Sequence, residues 1–82
     1  MIKVLYFARF REVLGVTSEE IEPRDAETVK QLIMRLVSER GEPWNLLAGE
    51  DTHCAVNQEH VELDHPLVAG DELALFPPVT GG

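Results

Sequence analysis

Thr28-Val29-Lys30-Gln31-Leu32-Ile33-Met34-Arg35-Leu36-Val37-Ser38-Glu39-Arg40 is the stretch on which the rest of the chain is laid. Val29, Leu32, Ile33, Leu36 and Val37 fall at i, i+3, i+4, i+7 and i+8, which draws one apolar stripe along a helix and leaves the other side wet. Thr28 with Gln31 three residues on matches a capping box. Asp25 and Glu27 suit the positive end of the helix dipole, and Arg35 and Arg40 lie toward the negative end. Gly41 and Pro43 stop the helix. A stripe of this kind has to be buried against another layer, and the flanking sequence supplies strands.

Upstream, Met1-Ile2-Lys3-Val4-Leu5-Tyr6-Phe7-Ala8 is β-branched and aromatic with one charge. It reads as a central strand, apolar on both faces and covered on both. Ala8 to Leu14 suits a short helix closed by Gly15, with Arg9, Arg11 and Glu12 on its wet side. Thr17 to Glu22 alternates around Ile21 and is rich in glutamate, as an edge strand is, and Pro23 breaks it. Downstream, Trp44 to Leu47 suits a further turn that packs apolar side chains. His53–Asn57 and His60–Leu63 read as two short strands, with Asn57, Gln58 and Glu59 at the bend. Pro66 and Ala69-Gly70-Asp71 then turn the chain into a last strand, Glu72-Leu73-Ala74-Leu75-Phe76.

The order strand, short helix, strand, long helix, two short strands, final strand describes an α+β domain of β-grasp type, a mixed sheet with one main helix across one face. If the apolar first and last strands lie side by side and parallel, the connection through the long helix is a right-handed crossover and the tail leaves at one end of the sheet. The domain is placed at residues 1–77 and an extended tail at 78–82. One helix covers only one sheet face, so something else is needed over the second.

With 82 residues and 44% hydrophobic content, the chain suits one small domain. No apolar run is long enough for a membrane span and no basic, apolar leader is read, so a soluble cytoplasmic protein is expected. One cysteine cannot close an internal disulfide, and a core this small gains from burial against a partner. Fifteen acidic against seven basic residues give a net charge of -8. That balance argues against nucleic acid or an anionic membrane as the target and suits a basic protein surface.

No Gly-rich phosphate loop, G-x-S-x-G elbow or H-E-x-x-H pattern occurs, so a self-contained enzyme is not expected. His53, Cys54, His60 and His65 match no metal-site spacing, and adjacent strand residues point to opposite faces; no metal is expected. Cys54 reads as a buried hydrophobe. Glu19-Glu20-Glu22, Glu50-Asp51 and Asp71-Glu72 fall on edges and turns and read as solvated surface.

What remains is the ending, Pro77-Pro78-Val79-Thr80-Gly81-Gly82. The prolines stop the strand and project the chain outward. Gly81 and Gly82 lack a Cβ, so the terminus suits a channel too narrow for side chains. The reach from Pro78 to Gly82 is roughly 16 Å. A Gly82 carboxylate is inert until activated, most simply as an acyl-adenylate formed with ATP. Sulfur would then give a thiocarboxylate, and an amine would give protein conjugation. The residues alone leave the sulfur-carrier and protein-modifier readings open, beside a purely noncovalent interaction module.

The opening Met1 to Glu12, Ala55-Val56-Asn57-Gln58, Asp64-His65-Pro66-Leu67, Gly70-Asp71-Glu72 and Phe76 to Gly82 closely resemble the small-subunit family of molybdopterin synthase. The likeness spans essentially the whole chain. Ubiquitin-type modifiers place arginines before Gly-Gly, whereas Phe-Pro-Pro-Val-(Ser or Thr)-Gly-Gly is the ending of this family; thiazole-pathway carriers share the fold and the Gly-Gly but lack the double proline. The resemblance implies a ubiquitin-like β-grasp protein with no permanently bound cofactor. Its Gly82 would be adenylated by an enzyme related to ubiquitin-activating enzymes and converted to a thiocarboxylate with sulfur from a donor protein. Gly81 would help thread the tail into the large subunit, in a heterotetramer whose large subunits carry the catalytic side chains. Sulfur would pass to a cyclic pyranopterin monophosphate precursor to build the dithiolene. Phe76, Pro77, Pro78, Val79 and Thr80, with Phe7 and Leu75, are the expected partner-binding residues.

Overall fold

The computed structural model describes residues 1–49 and 51–78. β1 spans Ile2–Tyr6, α1 Ala8–Leu14, β2 Ser18–Ile21, α2 Val29–Arg40, β3 His53–Val56, β4 Glu59–Val61 and β5 Glu72–Phe76, with a 3-10 helix at Trp44–Ala48 between α2 and β3. The strands form a mixed sheet in the order β2-β1-β5-β3-β4. β1 and β5 run parallel, with Lys3, Val4, Leu5 and Tyr6 opposite Glu72, Leu73, Ala74 and Leu75. The other three pairings are antiparallel. This is the β-grasp arrangement, with the first and last strands adjacent at the centre.

Strand alternation sends Ile2, Val4 and Tyr6, Cys54 and Val56, and Leu73 and Leu75 to one face, where all are buried. α2 lays Val29, Leu32, Ile33 and Leu36 across them. Each such side chain contributes about 1.5–3 kcal/mol by leaving water, which is why this face decides the register of every strand. Phe10, Ile21, Leu47 and Leu67 close the margins of the same core.

The α2 start is the capping box read from the sequence. Gln31 N–H donates to Thr28 Oγ1 (3.2 Å), and Thr28 N–H donates to Gln31 Oε1 (2.9 Å). Two arginines tie the helix down. Arg35 donates from Nε and Nη2 to the Glu27 carboxylate (3.0 and 2.7 Å) and from Nη2 to the Glu22 carbonyl (2.9 Å). Arg40 places both Nη atoms 2.8 Å from the Glu19 carboxylate, and its guanidinium lies 4.3 Å from the centroid of the Trp44 ring. The buried Tyr6 hydroxyl donates to the same Glu19 carboxylate at 2.7 Å, and the Tyr6 ring meets Trp44 edge-on. Burial, reinforced by Glu19, pushes the Tyr6 phenol well above its ordinary range. Arg40 chiefly holds the Glu19 carboxyl below its own.

Two expectations change. The bend between β3 and β4 holds two residues, Asn57 and Gln58, both at positive φ (52° and 70°), as a type I′ turn requires. Glu59 is not part of the bend; it begins β4 and faces Val56. β1 is central but is not covered twice: Lys3 and Phe7 are exposed and Leu5 is half-buried. The helix lies on the other face.

Candidate docking face and tail root

β5 ends at Phe76, and alternation from the buried Leu73 and Leu75 turns Glu72, Ala74 and Phe76 away from α2. Phe7 follows β1 in extended conformation (φ -122°, ψ 156°), so it continues the open-face series Lys3, Leu5, Phe7. Its N–H donates to the Leu75 carbonyl at 3.1 Å, which prolongs the parallel ladder and holds Phe7 level with the root of the tail. The Phe7 carbonyl in turn accepts from Phe10 N–H at 3.1 Å, so the α1 start is anchored at the same point. Phe7 is 42% exposed, a large aromatic surface on a small acidic domain.

Across β5 lies β3, where His53 pairs with Phe76 and Ala55 with Ala74. The His53 ring lies nearly parallel to Phe76, with centroids 5.8 Å apart and planes 12° off. His60 of β4 stands opposite Ala55 and reaches the same cluster, 6.1 Å from Phe76 and 5.5 Å from His53. His53 Nδ1 and His60 Nε2 are 3.3 Å apart. The face not covered by α2 thus carries Leu5, Phe7, Ala55, Ala74 and Phe76, with the two imidazoles on its β3–β4 side.

Beyond Phe76, Pro77 is half-buried and Pro78 exposed. Both border a cleft of about 360 Å³ whose other walls are Arg9 and Phe10 of α1, Leu46 of the 3-10 helix, and Gly49, Asp51 and Thr52. The root of the tail, Pro77 and Pro78, therefore lies beside α1, directly after Phe76 of the open face. Val79, Thr80, Gly81 and Gly82 lie outside the described residues.

Of the expected partner-binding residues, the structure brings Phe7, Phe76, Pro77 and Pro78 to one end of the molecule. Leu75 is a correction. It is fully buried against the helix layer, because strand alternation puts it on the opposite side from Phe76. Cys54 also sits in the core. Its thiol donates to the Val61 carbonyl (3.3 Å), and burial, with Glu62 adding, pushes it up to about 11, away from nucleophilic use at neutral pH. His65 lies apart at the α2 start, its carbonyl accepting from Val29 N–H. Among the described residues, no group of three His, Cys, Asp or Glu side chains converges in a way that could hold a metal ion. No helix there is long and apolar enough to cross a membrane.

His53 and His60 were not singled out as docking residues from the sequence. The signal that places them is the turn: with Asn57-Gln58 as a two-residue connection, Val56 faces Glu59 and Ala55 faces His60, so a buried Val56 puts His60 on the open face. Counting Glu59 in the bend obscures that register.

Residues 4–82 match the ThiS family. The chain is 48% identical to the molybdopterin synthase sulfur carrier subunit of Escherichia coli K12, covering all of both chains. Among solved structures, a Pyrococcus furiosus protein assigned as subunit 1 of molybdopterin converting factor superposes with a TM-score of 0.78 at 40% identity, over 95% of this chain and 97% of that one. Small archaeal modifier protein 1 of Haloferax volcanii superposes with a TM-score of 0.78 at 30% identity, over 99% and 98%. A β-grasp domain with a Phe-Pro-Pro tail root beside an open apolar face, matched over its length by these relatives, belongs to the ThiS family and stands among its molybdopterin synthase sulfur carrier subunits.

Proposed function

We propose that this chain works as a rechargeable sulfur reagent for building the molybdopterin dithiolene. The Gly82 carboxylate attacks the α-phosphorus of ATP on an adenylating enzyme and pyrophosphate leaves; the terminal sulfur of a donor persulfide then attacks the acyl carbon as AMP departs, and a second thiol cleaves the S–S bond of the acyl disulfide, forming a disulfide with the donor's remaining sulfur and freeing the thiocarboxylate. The resulting thiocarboxylate carries anionic sulfur, a good nucleophile toward a cyclic pyranopterin monophosphate precursor. The folded domain contributes no acid, base or metal to these steps. Its part is to hold the tail root and to dock, so that Gly81 and Gly82 thread into the large subunit of a heterotetrameric synthase.

The observation that carries this reading is the placement of the tail root. Phe76-Pro77-Pro78 leaves the central strand beside an uncovered apolar face bearing Phe7 and Phe76, so one partner surface can grip the domain and receive the tail together. The sulfur-carrier name of the E. coli relative supports the same reading. The test is the intact mass of the chain after incubation with ATP, the adenylating enzyme and a sulfur donor. Replacement of one oxygen by sulfur at Gly82 is expected; an unchanged mass under conditions that charge the E. coli carrier refutes it.

A second reading, conjugation of Gly82 to lysines of other proteins, is favoured by the likeness to the Haloferax modifier. It predicts tail remnants in isopeptide linkage on cellular proteins, which the sulfur-carrier reading does not require.

A further inference from the structure

The titratable rings of His53 and His60 pack against Phe76 on the open face. We propose that this imidazole pair makes docking proton-sensitive: the large subunit seats on the neutral pair and is released as the pair takes up protons. The inference rests on the docking reading above and adds a condition to it.

The geometry carries the argument. At 3.3 Å between His53 Nδ1 and His60 Nε2, one ring donates and the other accepts, so the bond needs at least one neutral imidazole. A second proton breaks it outright. The His53 ring lies flat beside Phe76, and His60 packs at a tilt beside both. A partner that covers Phe76 therefore removes water from both rings. A neutral, mutually hydrogen-bonded pair tolerates this, whereas an imidazolium has to be buried as a charge or lose its proton.

Among the described residues, Lys3 and Glu72 share this side of the sheet further along β1 and β5, and Asp51 and Glu62 flank the pair in the chain, two residues before His53 and two beyond His60. None of the ion pairs among the described residues involves either ring. α2 packs on the opposite face, and α1 brings Arg9 to the cleft that Asp51, Pro77 and Pro78 also border. Two imidazoles are too few for a metal centre, and no third ligand joins them among the described residues.

The experiment measures the affinity of the full chain for the large subunit from the same organism, with a chelator present, from about pH 8 down to about pH 5.5, across the ordinary imidazole range. Each proton released on docking predicts binding that weakens toward the acid end by up to about tenfold per pH unit. The H53N/H60Q variant keeps amide nitrogens near the two ring positions but does not titrate. It is measured against the same large subunit so that the partner's own titration cancels, and its folding is checked by circular dichroism. Loss of most of the pH slope in this variant supports the proposal. His60→Gln alone, at an exposed position, must already reduce the slope, which keeps the test decisive if the double variant does not fold. An unaltered slope in the variants, or a parent chain that binds equally at all pH values, overturns the inference while leaving docking intact. No binding at any pH overturns the docking reading itself and the inference with it.

Discussion

Replacing Glu27 by Ala tests how much of this small fold hangs on one ion pair. Arg35 and Glu27 are joined by two bonds of 3.0 and 2.7 Å, and their side chains are only 10% and 7% exposed. The Arg35 guanidinium is held further above its ordinary range, chiefly by that hydrogen-bonded carboxylate. A solvated surface pair is worth about 0–1 kcal/mol. Breaking a buried one by removing a single partner costs about 3–5 kcal/mol, because a charge is left in a dry site. The Glu22 carbonyl still accepts from Arg35 after the substitution and places this case near the low end, about 3 kcal/mol. For a domain of this size the whole stability is about 4–12 kcal/mol, so a quarter or more is at stake. At roughly 4–8 °C per kcal/mol, the melting temperature falls by about 12–24 °C. Urea unfolding followed by circular dichroism is the assay, with the slope m expected to stay unchanged. Combining Glu27→Leu with Arg35→Met is expected to recover most of the loss, since no charge is then orphaned. A loss below about 1 kcal/mol for Glu27→Ala would refute the reasoning and show that the pair behaves as surface.

Three further outcomes follow from the same structure. Phe76→Ala is expected to weaken large-subunit binding by about 2 kcal/mol, roughly thirtyfold, if Phe76 is the central anchor of the face; calorimetric titration checks it, and unchanged affinity would make the ring part of the fold only. Because the folded state lowers the Glu19 carboxyl pKa, its contribution to stability is fully present above the ordinary glutamate range and is lost as pH falls through the lowered value, so Glu19→Gln should cost more at pH 7 than in acid, where parent and variant unfolding curves converge. With its thiol pushed up to about 11 inside the core, Cys54 should resist alkylation in the native chain at neutral pH and react in urea; fast native labelling, read by intact mass, would contradict its burial.

The elements that local physics controls were legible. The α2 stripe, the Thr28–Gln31 box and the left-handed Gly15 after α1 stand where the sequence places them, because a helical face, a cap and a φ of 71° are decided by neighbouring residues. β5 likewise coincides with Glu72–Phe76. The misreadings sit where a distant neighbour decides. Phe7 and Leu75 are both apolar and both stand beside the end of a strand, yet alternation along the paired β1 and β5 buries Leu75 with Tyr6 and leaves Phe7 at the rim. Gln58 takes a positive φ that favours glycine, so the two-residue turn carried no Asn-Gly signal and Glu59 read as bend.

What the sequence determined by itself is the alternation and the ending: which residues are apolar at which period, and a side-chain-poor terminus after two prolines. Those properties are written in the order of the residues and need no partner strand. Only the tertiary structure decided that the face left bare carries Phe7, Phe76 and the His53–His60 pair, and that the tail root leaves beside it. His53 and His60 meet because a two-residue turn sets the β3–β4 register, and Phe76 joins them because β5 lies between β1 and β3. A pairing register is the sum of packing across the whole sheet, and a shift of one residue would turn every one of these side chains to the other face.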